Sequence, residues 1–150
     1  MTAVPIARAG ARMLAVRRRV EHADTDASGV VHFARYPALQ ETALLENLER
    51  LGAGLGELAR GGFDLVVVEA TTRYRAPARY PDELSLEPAV GHLGAARARI
   101  DTTIRRAADG AELATGSLVV ALTDRTTGAP RALPPDLRTV LEETRSHVLG

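Results

Sequence analysis

Phe33 to Thr72, FARYPALQETALLENLERLGAGLGELARGGFDLVVVEATT, is the stretch whose reading decides the fold. Its first half repeats with the period of a helix and its end with the period of a strand, and glycines separate the two. Leu44, Leu48, Leu51 and Leu55 recur at i, i+4, i+7 and i+11 and draw one apolar stripe. A helix of roughly five turns is therefore predicted from about Phe33 to Leu51. Pro37 is tolerated because the first turn's N–H groups lack partners in any case. Gly52, Gly54 and Gly56 break the pattern, and Gly61-Gly62 break it again. From Phe63 to Thr72 a strand is predicted, and its unbroken apolar run suggests burial on both faces.

Downstream, Glu83 to Val90 reads as a strand. Ala96, Ala98, Ile100, Thr102 and Ile104 alternate with Arg97, Arg99, Asp101, Thr103 and Arg105, as in an antiparallel strand with one wet face. Asp109-Gly110 is a hairpin signal, and Leu113 to Leu122 is the returning strand. A Pro/Gly-rich stretch from Gly128 to Pro135 leads to a short helix over Asp136 to Val148, with Asp136 as its expected N-cap. Upstream, Met13 to Val20 is a first strand whose Arg17, Arg18 and Arg19 read as a solvated end. Residues 1–12 and the C-terminal tail are expected to be less ordered. One strand, one long helix and four further strands make an α+β chain, with the helix stripe laid across an antiparallel sheet of five strands.

At 150 residues the chain is expected to form one domain over residues 1–150. Its charges sum to zero, so nothing global points to nucleic acid or to an anionic membrane. Arginine supplies all 19 basic residues, and cysteine is absent, which excludes disulfides, thiolate nucleophiles and cysteine-based zinc sites. No apolar run approaches the ~20 residues of a membrane span, and the first twelve residues carry no signal-peptide core. The cytoplasm is the expected location.

Immediately before the helix, Val20 to Tyr36 (VEHADTDASGVVHFARY) packs Asp24, Asp26 and Gly29 into a short polar loop. A loop that delivers carboxylates to a helix N-terminus sets an acceptor or base beside unsatisfied backbone amides. Asp24 to Gly29 copies the first half of a calcium loop, which needs a bidentate Glu at its twelfth position; that position is Arg35, and the calcium reading fails. The residue types of His22, Asp24, Asp26 and His32 suit other divalent ions, but no metal and no cofactor is expected. One aspartate of the pair can serve the turn alone, since carboxylates readily bond nearby amides, and Asp24 is the expected one.

The stretch Asp24-Thr25-Asp26-Ala27-Ser28-Gly29-Val30-Val31-His32-Phe33-Ala34-Arg35-Tyr36 resembles the D-x-D-x-x-G-x-V signature of hotdog-fold acyl thioesterases of the 4-hydroxybenzoyl-CoA thioesterase type. Tyr74 to Leu84 is similar to that family's second recurring stretch, and the likeness runs from about Met13 to Leu122. The resemblance implies a five-stranded antiparallel sheet wrapped around one long central helix, paired into a homodimer or homotetramer. It implies that Asp26 is the catalytic carboxylate, either attacking the thioester carbonyl or acting as base toward water. The backbone N–H of Phe33 would receive the oxygen that becomes negative. Gly29 would allow the tight turn between carboxylate and helix. Val31, His32, Tyr36, Val66 and Val68 are expected around the acyl group, some from a second subunit. His32 could equally be a packing residue. Glu41, three residues before Leu44, is expected to point toward the sheet or a dimer partner, either in a structural bond or positioning water.

The thioester would arrive on coenzyme A or on an acyl carrier protein, as in polyketide or fatty-acyl release. Arg73, Arg75, Arg79 and Arg97 are the expected contacts for its phosphates or for an acidic carrier surface. The connection at residues 91–96 holds no basic residue except His92, which leans the expectation toward the carrier protein. Two other classes compete: a dehydratase or cyclase on the same fold, and a non-catalytic acyl-binding or dimerisation module in which Asp26 only caps the helix.

Overall fold

The computed structural model describes residues 12–148, with side chains through Arg145. What was expected of residues 1–11 and of the last few residues lies outside the described part. Strand β1 (Val16–Arg19) is followed by a 3-10 turn (His22–Asp24), the loop, a second 3-10 turn (Phe33–Arg35) and helix α1 (Tyr36–Arg50). Then come α2 (Leu55–Arg60), β2 (Phe63–Tyr74), β3 (Glu83–Leu93), β4 (Arg97–Arg106), β5 (Glu112–Asp124), β6 (Pro130–Arg131) and α3 (Pro135–Val148). The sheet runs β1-β3-β4-β5-β2 with every pair antiparallel, and the short β6 adds to β5. The five expected strands are present, around one long helix.

The helix begins three residues later than expected, and Pro37 is the reason. An α-helix that included Phe33 would bond its carbonyl to the N–H of residue 37, which proline lacks. The chain closes a tighter turn instead, with the Tyr36 N–H donating to the Phe33 carbonyl. At the other end Gly52, at φ 84°, takes the left-handed conformation that stops α1. Its N–H donates to the Glu49 carbonyl at 3.1 Å and the Ala53 N–H to the Leu48 carbonyl at 2.8 Å, which is a Schellman cap. Leu55 therefore leaves the stripe: it opens α2, and its side chain is exposed.

The face of α1 against the sheet is Tyr36, Leu39, Gln40, Ala43, Leu44, Asn47 and Leu48. Glu41 is exposed, so the expectation that it points toward the sheet is corrected. Gln40, one residue earlier, is the buried polar group: it is 0% exposed and donates Nε2 to the Thr71 carbonyl at 3.2 Å and to Thr72 Oγ1 at 3.1 Å. It packs over Gly116, where an added Cβ would overlap the Gln40 amide and the Thr71 carbonyl. Thr72, Gly116, Thr102 and Pro88 form one row across the sheet, and this row parts the apolar core in two. Leu44, Leu48, Ile100 and Leu118 lie on one side; Tyr36, Leu39, Ile104 and Ala114 lie on the other.

Three further expectations change. β2 is not buried on both faces: it stands at the sheet edge with β5 as its one neighbour, and Val67 and Val68 are 43% and 44% exposed. An apolar run records that a segment can be buried, and which strand becomes its neighbour is a matter of chain path. β3 does not stop at Val90; it passes through a bulge between Val90 and His92, where Gly91 leaves room for the Asp101 and Arg99 side chains. Asp136 lies inside the first turn of α3, which Pro135 opens, and is not its cap. Among the described residues, no helix is long and apolar enough to cross a membrane.

Candidate active site

The loop before α1 is a small hairpin closed on the sheet's end. Thr25 pairs with Val31 and Val30 with Arg79, and the Val31 N–H donates to the Ala78 carbonyl at 2.8 Å. Inside it the Gly29 N–H donates to the Asp26 carbonyl at 3.0 Å and the Asp26 N–H to the Val30 carbonyl at 2.9 Å. Gly29 sits at φ 81°, a conformation that a side chain would strain, so glycine is required at this turn.

The two aspartates take different environments. Asp24 is 3% exposed and receives five donors. Arg18 bonds both carboxylate oxygens, Nη1 to Oδ2 at 2.8 Å and Nη2 to Oδ1 at 3.0 Å. Arg35 sets Nε at 3.1 Å and Nη2 at 3.0 Å from Oδ1, and the Glu21 N–H donates to Oδ2 at 2.8 Å. The Arg18 hydrogen bonds are the largest cause that holds this carboxyl at about 2, below the usual 3.8; burial opposes, while the Glu21 amide and Arg35 assist. Asp24 is thus a buried anchor. Asp26 is half-exposed and accepts only the Ser28 N–H, at 2.8 Å on Oδ1. Its Oδ2 has no protein donor among the described residues.

The turn into α1 carries the donors. His32 caps it, accepting the Ala34 N–H on Nδ1 at 3.1 Å, and its ring stacks on Phe33 with centroids 4.6 Å apart. The Phe33 side chain is 66% exposed, and its backbone N–H has no acceptor among the described residues. The Phe33 carbonyl accepts the Tyr74 hydroxyl at 3.1 Å, which ties the turn to the end of β2. Tyr36 is 3% exposed with its ring edge-on to Tyr74 at 5.2 Å, and burial raises its phenol above the ordinary value.

Asp26, Gly29, Val31, His32 and Phe33 are together in this loop and turn, with Arg79 across the Val30 bridge. Val66 and Val68 are elsewhere in the same chain: six to eight strand residues separate them from Tyr74, roughly 20–26 Å along β2. Arg75 faces Glu112 at 3.5 Å. Arg73 lines a cleft of ≈ 410 Å³ on the outer face of the sheet with Thr71, Thr103, Thr115 and Asp101, whose carboxylate accepts from Arg99 and Ser117. Arg97 lies on that same wet face of β4, two residues before Arg99, and neither Arg73 nor Arg97 pairs with a carboxylate among the described residues. Glu41 stands exposed on α1.

Sequence reading missed three members of the surroundings. Arg18 is not a solvated strand end but the main partner of Asp24; the signal was there, because alternation places it between buried Val16 and Val20 on the inner face. Arg35 and Tyr74 carried no such signal, since their partners are reached only through folding. Among the described residues no three His, Asp or Glu side chains gather as metal ligands do, and Asp24 is already committed to two arginines.

The profile of the thioesterase-like superfamily matches residues 20–141. A 1,4-dihydroxy-2-naphthoyl-CoA hydrolase of Synechococcus is 36% identical over 77 residues, 47% of this chain; the match spans about half of that relative's length, 52%. The acyl-CoA thioester hydrolase YbgC of Escherichia coli is 31% identical over 119 residues, covering 79% of this chain and 88% of that protein. Among solved structures, the 1,4-dihydroxy-2-naphthoyl-CoA thioesterase Slr0204 from Synechocystis superposes with a TM-score of 0.78 at 26% identity, covering 85% of this chain and 94% of that one.

Proposed function

This chain belongs to the thioesterase-like superfamily and has the hotdog fold, and from that premise we propose that it is an acyl-CoA hydrolase in which Asp26 is the catalytic carboxylate. One observation carries the residue assignment: among the described residues, the loop leaves Asp26 Oδ2 without a protein donor, while the turn that follows leaves the Phe33 N–H without an acceptor. A thioester carbonyl needs both. The carboxylate either attacks the carbonyl carbon or takes the proton of an attacking water, and the negative oxygen formed is received by the Phe33 N–H. Collapse of that intermediate expels the thiolate. Where water is the attacking group this leaves the acid, and where Asp26 attacks it leaves a mixed anhydride that a water then cleaves to the acid and the free carboxylate.

Coenzyme A is favoured over a carrier protein. The two curated relatives above are named for CoA thioesters. The outer cleft sets Arg73, which pairs with no carboxylate among the described residues, beside the hydroxyls of Thr71 and Thr115, donors suited to phosphate; Arg99 and Ser117 in the same cleft are bonded to Asp101. Thiol release from a panel of acyl-CoA and acyl-carrier thioesters tests the reading. Release from acyl-CoA is the expected result. No release across aliphatic and aryl chains would favour the binding module, and loss of water with the thioester intact would favour the dehydratase.

The acyl pocket is completed by a second copy. Val66 and Val68 cannot reach the loop of their own chain, whereas β2 offers a free edge with exposed valines, the kind of edge that pairs. Sedimentation equilibrium at micromolar protein is expected to return at least twice the monomer mass; a monomer would sink this part of the proposal.

A further inference from the structure

Asp24 holds both ends of the turn that presents the Phe33 N–H. At the head, its backbone carbonyl accepts the His32 N–H at 2.9 Å. At the tail, its carboxylate accepts the Arg35 guanidinium through Nε at 3.1 Å and Nη2 at 3.0 Å. Between these two ties lie the peptides of Phe33 and Ala34, and the turn itself closes through the Arg35 N–H on the His32 carbonyl at 2.9 Å. The orientation of a backbone donor is set by the peptide planes on either side of it. A turn of three residues with one end tied to the main chain and the other to the side chain of a single buried residue leaves those planes little freedom.

The contacts of Asp24 are unequal in what they can do. Arg18 reaches it from β1 and the Glu21 amide from the first 3-10 turn, so these two seat Asp24 in the core. Among the described donors to the carboxylate, Arg35 alone comes from the residues that enter α1. Its side chain is 45% exposed, and without it Asp24 keeps its bidentate arginine and its backbone amide. The Arg35 connection can therefore be removed with the Arg18 and Glu21 contacts of Asp24 still in place.

We propose that Arg35 is a positioning residue for thioester hydrolysis: through Asp24 it fixes the Phe33–Arg35 turn and so aims the Phe33 N–H at the reacting carbonyl oxygen. The inference rests on the hydrolase reading above. Arginine suits the role because its planar fork engages a carboxylate oxygen with two parallel donors, whereas an ammonium supplies a point charge with freely turning donors. The same residue that removes the calcium reading of the loop thereby acquires a task of its own.

Arg35→Gln and Arg35→Lys, assayed with the best acyl-CoA substrate of the wild type, test the proposal alongside thermal unfolding and amide hydrogen exchange at residues 32–36. For Arg35→Gln, kcat is expected to fall about tenfold to a hundredfold, the cost of a donor misplaced by a fraction of an ångström to an ångström. KM and the unfolding midpoint stay near wild type, exchange in the turn speeds up, and Arg35→Lys recovers part of kcat. Unchanged kcat in an active enzyme overturns the positioning role and leaves the hydrolase reading standing. A fall in kcat that only follows a lost folded fraction also overturns it. A wild type that releases no thiol removes the hydrolase reading, and this inference with it.

Discussion

Asp26→Asn is expected to lower kcat/KM by about 10²–10⁴-fold, the range that a positioned acid–base group contributes, or roughly 3–5 kcal/mol of barrier. The substitution is close to isosteric. An asparagine Oδ1 can accept the Ser28 N–H as Asp26 does at 2.8 Å, and the two backbone bonds that close the hairpin do not involve the side chain. The turn should therefore persist, with a thermal midpoint close to wild type, and only the group that attacks or takes a proton is lost. Either chemical role for Asp26 predicts this outcome, because an amide is neither a useful nucleophile nor a base. Thiol release at the wild-type rate, from protein shown by circular dichroism to be folded, would return Asp26 to a turn residue.

Asp24→Asn should produce the reverse pattern, a stability defect first. Removing one partner of a buried ion pair leaves the others uncompensated, at a cost of about 3–5 kcal/mol when all are buried. Arg18 and Arg35 here are partly exposed and can recover some hydration, so about 2–3 kcal/mol is expected from urea unfolding at neutral pH. The dependence on pH gives a second reading. The folded carboxyl at about 2 lies below its ordinary 3.8, so the bonus of the charged form is fully present above that ordinary value. It is lost as pH falls from about 4 through about 2, and a shift of this size corresponds to about 2 kcal/mol. Stability of the wild type should decline across that window, and the variant should lack this portion of the decline. Parallel curves for the two proteins would show that Asp24 is not the group responsible. Because Asp24 also anchors the Phe33–Arg35 turn, the proposed donor site, through its backbone carbonyl and Arg35, activity should fall beyond the loss of folded protein.

The candidate site was legible to the extent that its chemistry is written in adjacent residues. The loop Asp24 to Tyr36 declared itself through two carboxylates, a glycine and a helix start, and the structure gives the two aspartates different environments, Asp24 bonded by two arginines and Asp26 by one amide among the described residues. What adjacency could not reveal is who those partners are. Arg35 is eleven residues from Asp24 and Tyr74 is forty-one from Phe33, and both contacts depend on where α1 lies over the sheet. Glu41 shows the same limit from the other side. A stripe read from leucines is broad enough to include or omit a neighbour, and burial fell to Gln40, whose amide finds Thr71 and Thr72 on a strand thirty residues away.

By itself the sequence determined the types and the approximate places of the five main strands and of the long helix. Residues along a strand alternate faces and residues along a helix return every 3.6 positions, so covalent geometry writes burial into local pattern. The Phe63–Tyr74 and Arg97–Arg106 strands, the Asp109-Gly110 turn and the helix before Gly52 all follow from it. Only the tertiary structure decided the order of neighbours. β2 reads as an interior strand and stands at an edge, β3 runs on through a bulge at Gly91, and Arg18 turns inward to a carboxylate. Those outcomes depend on which segments the chain path brings within a few ångströms. Contacts of that kind come from the whole fold at once, and no window of sequence contains them.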